Sequence, residues 1–342
     1  MYEIGVCLRS VDTSPAEFAQ LAAYGEKLGY SSFWVTEETG RSGFGNIMYA
    51  ASKTSAVKLG TAIVSIYSRT PLTVAMEAAT LDEATDSRFI LGLGSGGMEF
   101  TERGHGVKAE KPVKRMHEYL KIVRAFLSGE RVSYEGEFFR VRDIRMWAKP
   151  APHLQVCIAA LNRLMLRKAG EMADGVILNV FSPRALPYVM ENLEIGAAST
   201  GRKLSSFKLY SFVLASSSSS EEARKALKNS VAFYCAAPTY RQILSVLGFG
   251  EVAAQVNSLW RAGSREEALK LIPNELVDDV SVTIDTDDAV DMVMRYVEAG
   301  IRPLLYPQPR KSSRLEDIRA IMENMSSKLD LRCADSEAVG RG

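Results

Sequence analysis

A chain of 342 residues, 46% of them hydrophobic, can bury a large core without disulfide or metal staples and suits one α/β barrel with insertions. Its 42 Lys and Arg nearly cancel 41 Asp and Glu, which removes the electrostatic basis for nonspecific binding to nucleic acid or an anionic membrane and favours small-molecule partners. The N-terminus MYEIGVCLRS has no basic leader, and no stretch approaches the ~18 apolar residues of a membrane span, so a cytoplasmic protein is expected.

Apolar periodicity alternates strand and helix along nearly the whole chain. A strand at 4–8 precedes a helix capped by Ser14, with Pro15 first and Glu17 third, the capping-box arrangement. Strand 32–36 runs through the Gly-rich loop TGRSGFGN into a helix at 47–56. Strand 58–66 is almost continuously apolar, as a parallel strand covered on both faces should be. Pro71 then opens a helix, strand 89–94 follows, and a helix spans 111–127.

Between 130 and 152 the alternating residues around Tyr-Glu-Gly-Glu-Phe predict a short β-hairpin excursion. Strand 155–160, a helix at 163–173, strand 175–179 and strand 208–215 come next. A helical region from 221 to about 279 is too long for one barrel helix and predicts an insertion over about 236–285. The final unit has a helix at 287–299, a strand at 303–306 and a closing helix at 315–326. The expectation is a (β/α)₈ TIM barrel as a single domain over 1–327, with a helical insertion, a hairpin excursion and a polar C-terminal tail at 328–342.

Ligands of such folds sit at the carboxyl ends of the strands. Thr36-Glu37-Glu38 places two carboxylates there. Neighbouring residues of a strand face opposite ways, so at most one points into the site, where it could bond a reduced ring or act as a general acid; a solvated rim carboxylate is the alternative. Gly92-Leu93-Gly94-Ser95-Gly96-Gly97 matches the dinucleotide fingerprint, but MEFTERGHGVKAEKP follows it where a helix should open at once. A loop for close approach of a planar ring or a phosphate is the better reading.

Arg9, Arg69 and Arg163 each follow a strand and are cationic candidates for a phosphate. Asn179 could donate to a ring carbonyl or cap the next turn, and His105, in a Gly-rich loop, suits a lid or proton donor. His117 and His153 read as structural or uninformative, and the four scattered cysteines form no C-x-x-C pair, so no metal site is expected.

The stretches SSFWVTE, KLGTAIVSIYSRTP, AATLDEATDSRFILGLGSG, LSGERVSYEGEFFRV, KAGEMADGVILN and VAFYCAAPTYRQIL, in that order, resemble the bacterial-luciferase-like superfamily, specifically its branch of oxidoreductases dependent on the deazaflavin coenzyme F420. The resemblance implies hydride transfer between F420 and a small organic substrate, with a methylenetetrahydromethanopterin-type reductase among the forms this could take. It also implies a non-prolyl cis peptide at Ala62–Ile63, ring and ribityl contacts at Glu37, Ala62, Ile63, Val64, Gly94, Ser95 and Gly96, and a phosphate turn at Ala160, Leu161, Asn162 and Arg163. By analogy a homodimer is expected.

Three departures stand out. Asn162-Arg163-Leu164 replaces the usual Gly-Pro-Lys, Glu38 stands where many members have His, and Cys7 and Gly97 occupy positions that are acidic in the methanopterin reductases. An FMN-dependent luciferase-like monooxygenase, or a noncatalytic flavin-binding or interaction protein, are the alternative readings.

Overall fold

The computed structural model describes residues 2–331. In chain order these form β1 (Gly5–Leu8), α1 (Pro15–Lys27), β2 (Ser32–Val35), α2 (Gly43–Ala51), β3 (Lys58–Thr61), β4 (Val64–Ser65), α3 (Pro71–Ala84), β5 (Phe89–Gly94), α4 (Met98–His105) and α5 (Pro112–Leu127). The hairpin β6 (Arg131–Glu135) and β7 (Arg140–Arg145) comes next, then β8 (Gln155–Ala159), α6 (Arg163–Met172), β9 (Gly175–Leu178), α7 (Leu186–Ala198) and β10 (Lys208–Ser216). The remainder is α8 (Glu221–Ala236), α9 (Arg241–Val246), α10 (Gly250–Arg261), α11 (Arg265–Lys270), α12 (Asn274–Val280), β11 (Ser281–Thr283), α13 (Ala289–Glu298), β12 (Arg302–Pro307) and α14 (Arg314–Lys328).

Parallel pairing runs β1, β2, β3 with β4, β5, β8, β9, β10, β12 and back to β1, closing eight staves into a (β/α)₈ barrel. The antiparallel hairpin stands outside it. Helix starts follow local chemistry: Ser14 accepts from Glu17 N and the Glu17 carboxylate accepts from Ser14 N, while Pro15, Pro71 and Pro112 open their helices.

The lower interior is plugged. Trp34 on β2 meets Tyr210 on β10 with ring centroids 4.8 Å apart, although two staves separate these strands, so the contact crosses the barrel. A side chain at Gly60 would strike the Trp34 ring at 2.3 Å, which is why that stave carries none there. Ligand sites of such barrels lie at the carboxyl-terminal rim.

Several expected boundaries need correction. Strand 58–66 is broken at Ala62 and Ile63, whose peptide bond is cis. Helix α2 starts at Gly43, inside the predicted Gly-rich loop, because Ser42 caps it and the Glu37 carboxylate accepts from Gly43 N at 2.7 Å. After Gly97 the chain enters α4 directly, so a helix does open where the sequence suggested an irregular stretch. The helical insertion resolves into α9 to α12, followed by β11, which pairs with the end of β10 beyond the last residue bonded to β9. Of the expected polar tail, Lys328 ends α14 and Leu331 is buried against Gly29; residues 332–342 lie outside the described residues. No described helix is long and apolar enough to cross a membrane.

Candidate functional site

One side of the rim is built from small residues. A Cβ at Gly94 would lie 2.7 Å from Ile63 Cγ1 and 3.3 Å from Ala159 Cβ, so the broken third stave, β5 and β8 converge closely here, and β5 contributes backbone alone. Ala62, Val64 and Ala160 are buried around it, and Ile63, Ser95 and Gly96 are partly exposed. Gly96 has φ +64° and lies near the Ser65 hydroxyl. Such a surface admits a flat ring face-on. At the next turn Asn162 caps α6, its Oδ1 accepting from Met165 N at 3.0 Å, and Arg163 is exposed at the first helical position. A helix N-terminus beside a guanidinium is suited to an anion.

The two carboxylates after β2 have different neighbours. Both oxygens of Glu37 are engaged, by Arg69 Nη1 at 2.5 Å, Arg69 Nη2 at 3.0 Å and the Gly43 amide. Arg69 also pairs with Glu77 at 3.2 Å and stacks over Phe44, while burial raises the Glu77 carboxyl above its ordinary range. Arg9 is held by Asp12 at 2.6 and 3.1 Å. Of the three arginines singled out in the sequence, then, Arg9 and Arg69 are spent on carboxylates and Arg163 is exposed at the anion-type turn.

Glu38 takes hydrogen bonds from Thr36 Oγ1 at 2.6 Å and Ser10 Oγ at 2.9 Å and keeps an exposed edge. Beside the larger effect of burial, its charge helps to raise the Tyr306 and Tyr234 phenols. Burial pushes the Cys7 thiol well above its usual range, and Glu38 adds to the effect. His105 ends α4, exposed, with its ring edge-on to Phe100 at 5.2 Å rather than against either carboxylate.

The sequence reading missed a group of phenols. Asn179, just past β9, donates from Nδ2 to the Tyr240 hydroxyl at 3.0 Å, and its Oδ1 accepts from Val180 N at 2.9 Å. Tyr240 packs on Tyr234 with centroids 5.0 Å apart, the Tyr234 hydroxyl contacts Asn179 and Tyr306, and Tyr306 stacks on Phe212 at 4.7 Å. Burial raises all three phenols. The signal that could have found two of them was present: VAFYCAAPTYRQIL carries Tyr234 and Tyr240. Only folding brings that segment over β9 and β12.

Comparison with known proteins gives a consistent picture. A family model described as luciferase-like monooxygenase matches residues 3–303. A 5,10-methylenetetrahydromethanopterin reductase from Archaeoglobus fulgidus is 28% identical over 310 residues, covering 89% of this chain and 93% of that protein. A putative coenzyme F420-dependent oxidoreductase from Mycobacterium tuberculosis is 28% identical over 313 residues, covering 84% and 89%. Among solved structures, the coenzyme F420 dependent tetrahydromethanopterin reductase of Methanopyrus kandleri superposes with a TM-score of 0.79 at 25% identity, over 94% of this chain and 98% of that one.

Proposed function

The chain belongs to the luciferase-like monooxygenase family, and from that premise we propose that it is an oxidoreductase moving a hydride between coenzyme F420 and a small organic substrate. The observation that carries this reading is the close convergence of three staves at the rim, where Gly94 leaves no room for a Cβ beside Ile63 and Ala159 and so keeps β5 from projecting into the space a flat tricyclic ring would take. When bound, the deazaflavin supplies the hydride chemistry; the protein supplies position and electrostatics.

In this reading Ala62, Ile63, Val64, Gly94, Ser95 and Gly96 support the ring and ribityl chain. Ala160, Asn162 and Arg163 with the start of α6 hold the phosphate. Glu37, clamped by Arg69 and Gly43 N, fixes the α2 end of the rim. Glu38 manages protons, and Asn179 orients groups at the far side. His105 ends α4, the helix that follows the Gly-rich turn after β5. A relative and a solved structure named for F420 favour the deazaflavin over FMN.

A homodimer fits the outer face of α2 and α3, where Met48, Tyr49 and Met76 are each at least 40% exposed and no charge falls between Ser42 and Ser52. Buried free thiols at Cys7, Cys157 and Cys235 suit the cytoplasm.

The deciding experiment titrates cofactor-free protein with F420 and with FMN, following absorbance and fluorescence. Tighter binding of F420 is expected; the reverse preference, with oxygen consumed during turnover, would assign the FMN-dependent monooxygenase instead. Failure to bind either at micromolar concentration would leave a noncatalytic protein.

A further inference from the structure

Near the rim the third stave is one residue longer than its neighbour β5. Gly60 pairs with Ile90 and Val64 pairs with Leu93, so Thr61, Ala62 and Ile63 stand opposite only Leu91 and Gly92. Three residues set against two form a bulge, which bends its own strand and re-aims the side chains it carries. How that bulge is held therefore bears on where Ile63 stands.

The two sides of the bulge are held differently. Towards β2 the backbone ladder continues into it: Thr61 pairs with Val35, and Ala62 N donates to Val35 O at 2.8 Å. Towards β5 a side chain steps in. Thr61 Oγ1 accepts from Gly92 N at 3.0 Å and donates to Gly92 O at 3.1 Å, so one hydroxyl bridges both polar atoms of a single residue. Thr61 is fully buried, and a Cβ at Gly92 would come within 1.9 Å of Thr61 O, so this approach needs a glycine. A valine in place of Thr61 would fill nearly the same space and serve neither atom.

Resting on the F420 reading above, we propose that Thr61 is a positioning residue for the cofactor ring: its bridge to Gly92 fixes how far Ile63 projects towards the deazaflavin. Being fully buried, Thr61 itself touches neither ring nor substrate. Ile63 is partly exposed and lies against Gly94, whereas Ala62 beside it is buried. A small shift of the bulge therefore moves the one side chain of the three that reaches the surface. Loss of the hydroxyl takes a partner from two buried backbone groups, and the bulge settles at a different height.

The test titrates F420 into wild type, Thr61→Val, Thr61→Ser and Thr61→Ala, following fluorescence for affinity and absorbance at saturation for the surroundings of the ring. Valine keeps the shape and loses the oxygen, whereas serine keeps the oxygen. Serine and alanine differ by that oxygen alone, so this pair decides the outcome if the valine variant does not fold. Thr61→Val and Thr61→Ala are expected to weaken F420 about 10-fold and to move the bound spectrum towards that of free F420. Thr61→Ser should bind within about twofold of wild type and show the wild-type spectrum.

Wild-type affinity in Thr61→Val, or equal losses in the serine and alanine variants, would overturn the positioning role. So would weakened binding with an unaltered bound spectrum, because a general loosening of the core lowers affinity without changing what the ring touches. Wild-type protein that fails to bind F420 at all overturns the F420 reading itself, and this proposal with it.

Discussion

Asp317 offers a test of how the rim is held together. Its carboxylate is 3% exposed and takes hydrogen bonds from Arg310 Nη2 at 2.7 Å, Arg310 Nε at 3.0 Å, Arg310 N at 2.9 Å, Ser217 Oγ at 2.8 Å and Ser313 Oγ at 3.1 Å. It thereby ties the loop after β12 to the end of β10. Burial alone would raise this carboxyl, but the Arg310 and Ser217 bonds outweigh it and pull its pKa from 3.8 to about 2.

At about 1.4 kcal/mol per pH unit, that displacement sets an electrostatic upper bound of about 2.5 kcal/mol on the stability lost in Asp317→Asn at pH 7. Solvent around the partly exposed Arg310 discounts it somewhat. For a chain of this size the bound corresponds to a fall of about 3 °C in Tm. Because the folded pKa is depressed, the contribution is complete above pH 3.8 and disappears as pH falls through about 2. Thermal unfolding of both proteins at pH 7 and pH 3 should show the gap shrinking to about half. An equal gap at both pH values would refute the electrostatic account.

Three further outcomes are expected. Glu118, 3% exposed, accepts from the amides of Glu137, Phe138 and Phe139 at 2.9 to 3.3 Å, so Glu118→Gln should cost about 1–3 kcal/mol and open the β6–β7 hairpin to proteolysis. An intact hairpin in limited digestion would contradict this. Gly94→Ala places a methyl against Ile63 and should weaken F420 binding at least about tenfold, with about 1–3 kcal/mol lost from overpacking; an unchanged F420 dissociation constant would move the ring elsewhere. Met76→Glu puts a charge on the outer face of α3 and should shift sedimentation from dimer towards monomer without altering the circular dichroism spectrum. An unaltered sedimentation profile would show that this face is not the interface.

Much of the barrel could be read from periodicity. The strand at 89–94 coincides with β5, the hairpin stands where alternation around Tyr-Glu-Gly-Glu-Phe put it, and the Ser14 capping box forms as written. These features depend on neighbours within a few residues, or on one buried face, and both leave a local trace. Gly92, Gly94 and Gly96 were legible for a related reason, since a position where no Cβ fits, or where φ is positive as at Gly96, calls for glycine in the sequence too.

What the sequence alone determined, then, was the order of elements, the closure count and the small-residue side of the site. What tertiary structure decided was which groups meet. Gly43 becomes helical because a carboxylate six residues earlier receives its amide. Glu37 is committed to Arg69, 32 residues away, while Glu38 accepts from Ser10, 28 residues earlier and just past a neighbouring stave. Pairings at that separation are fixed only when the staves close, because the energy of bringing such groups together resides in the whole core and not in either segment.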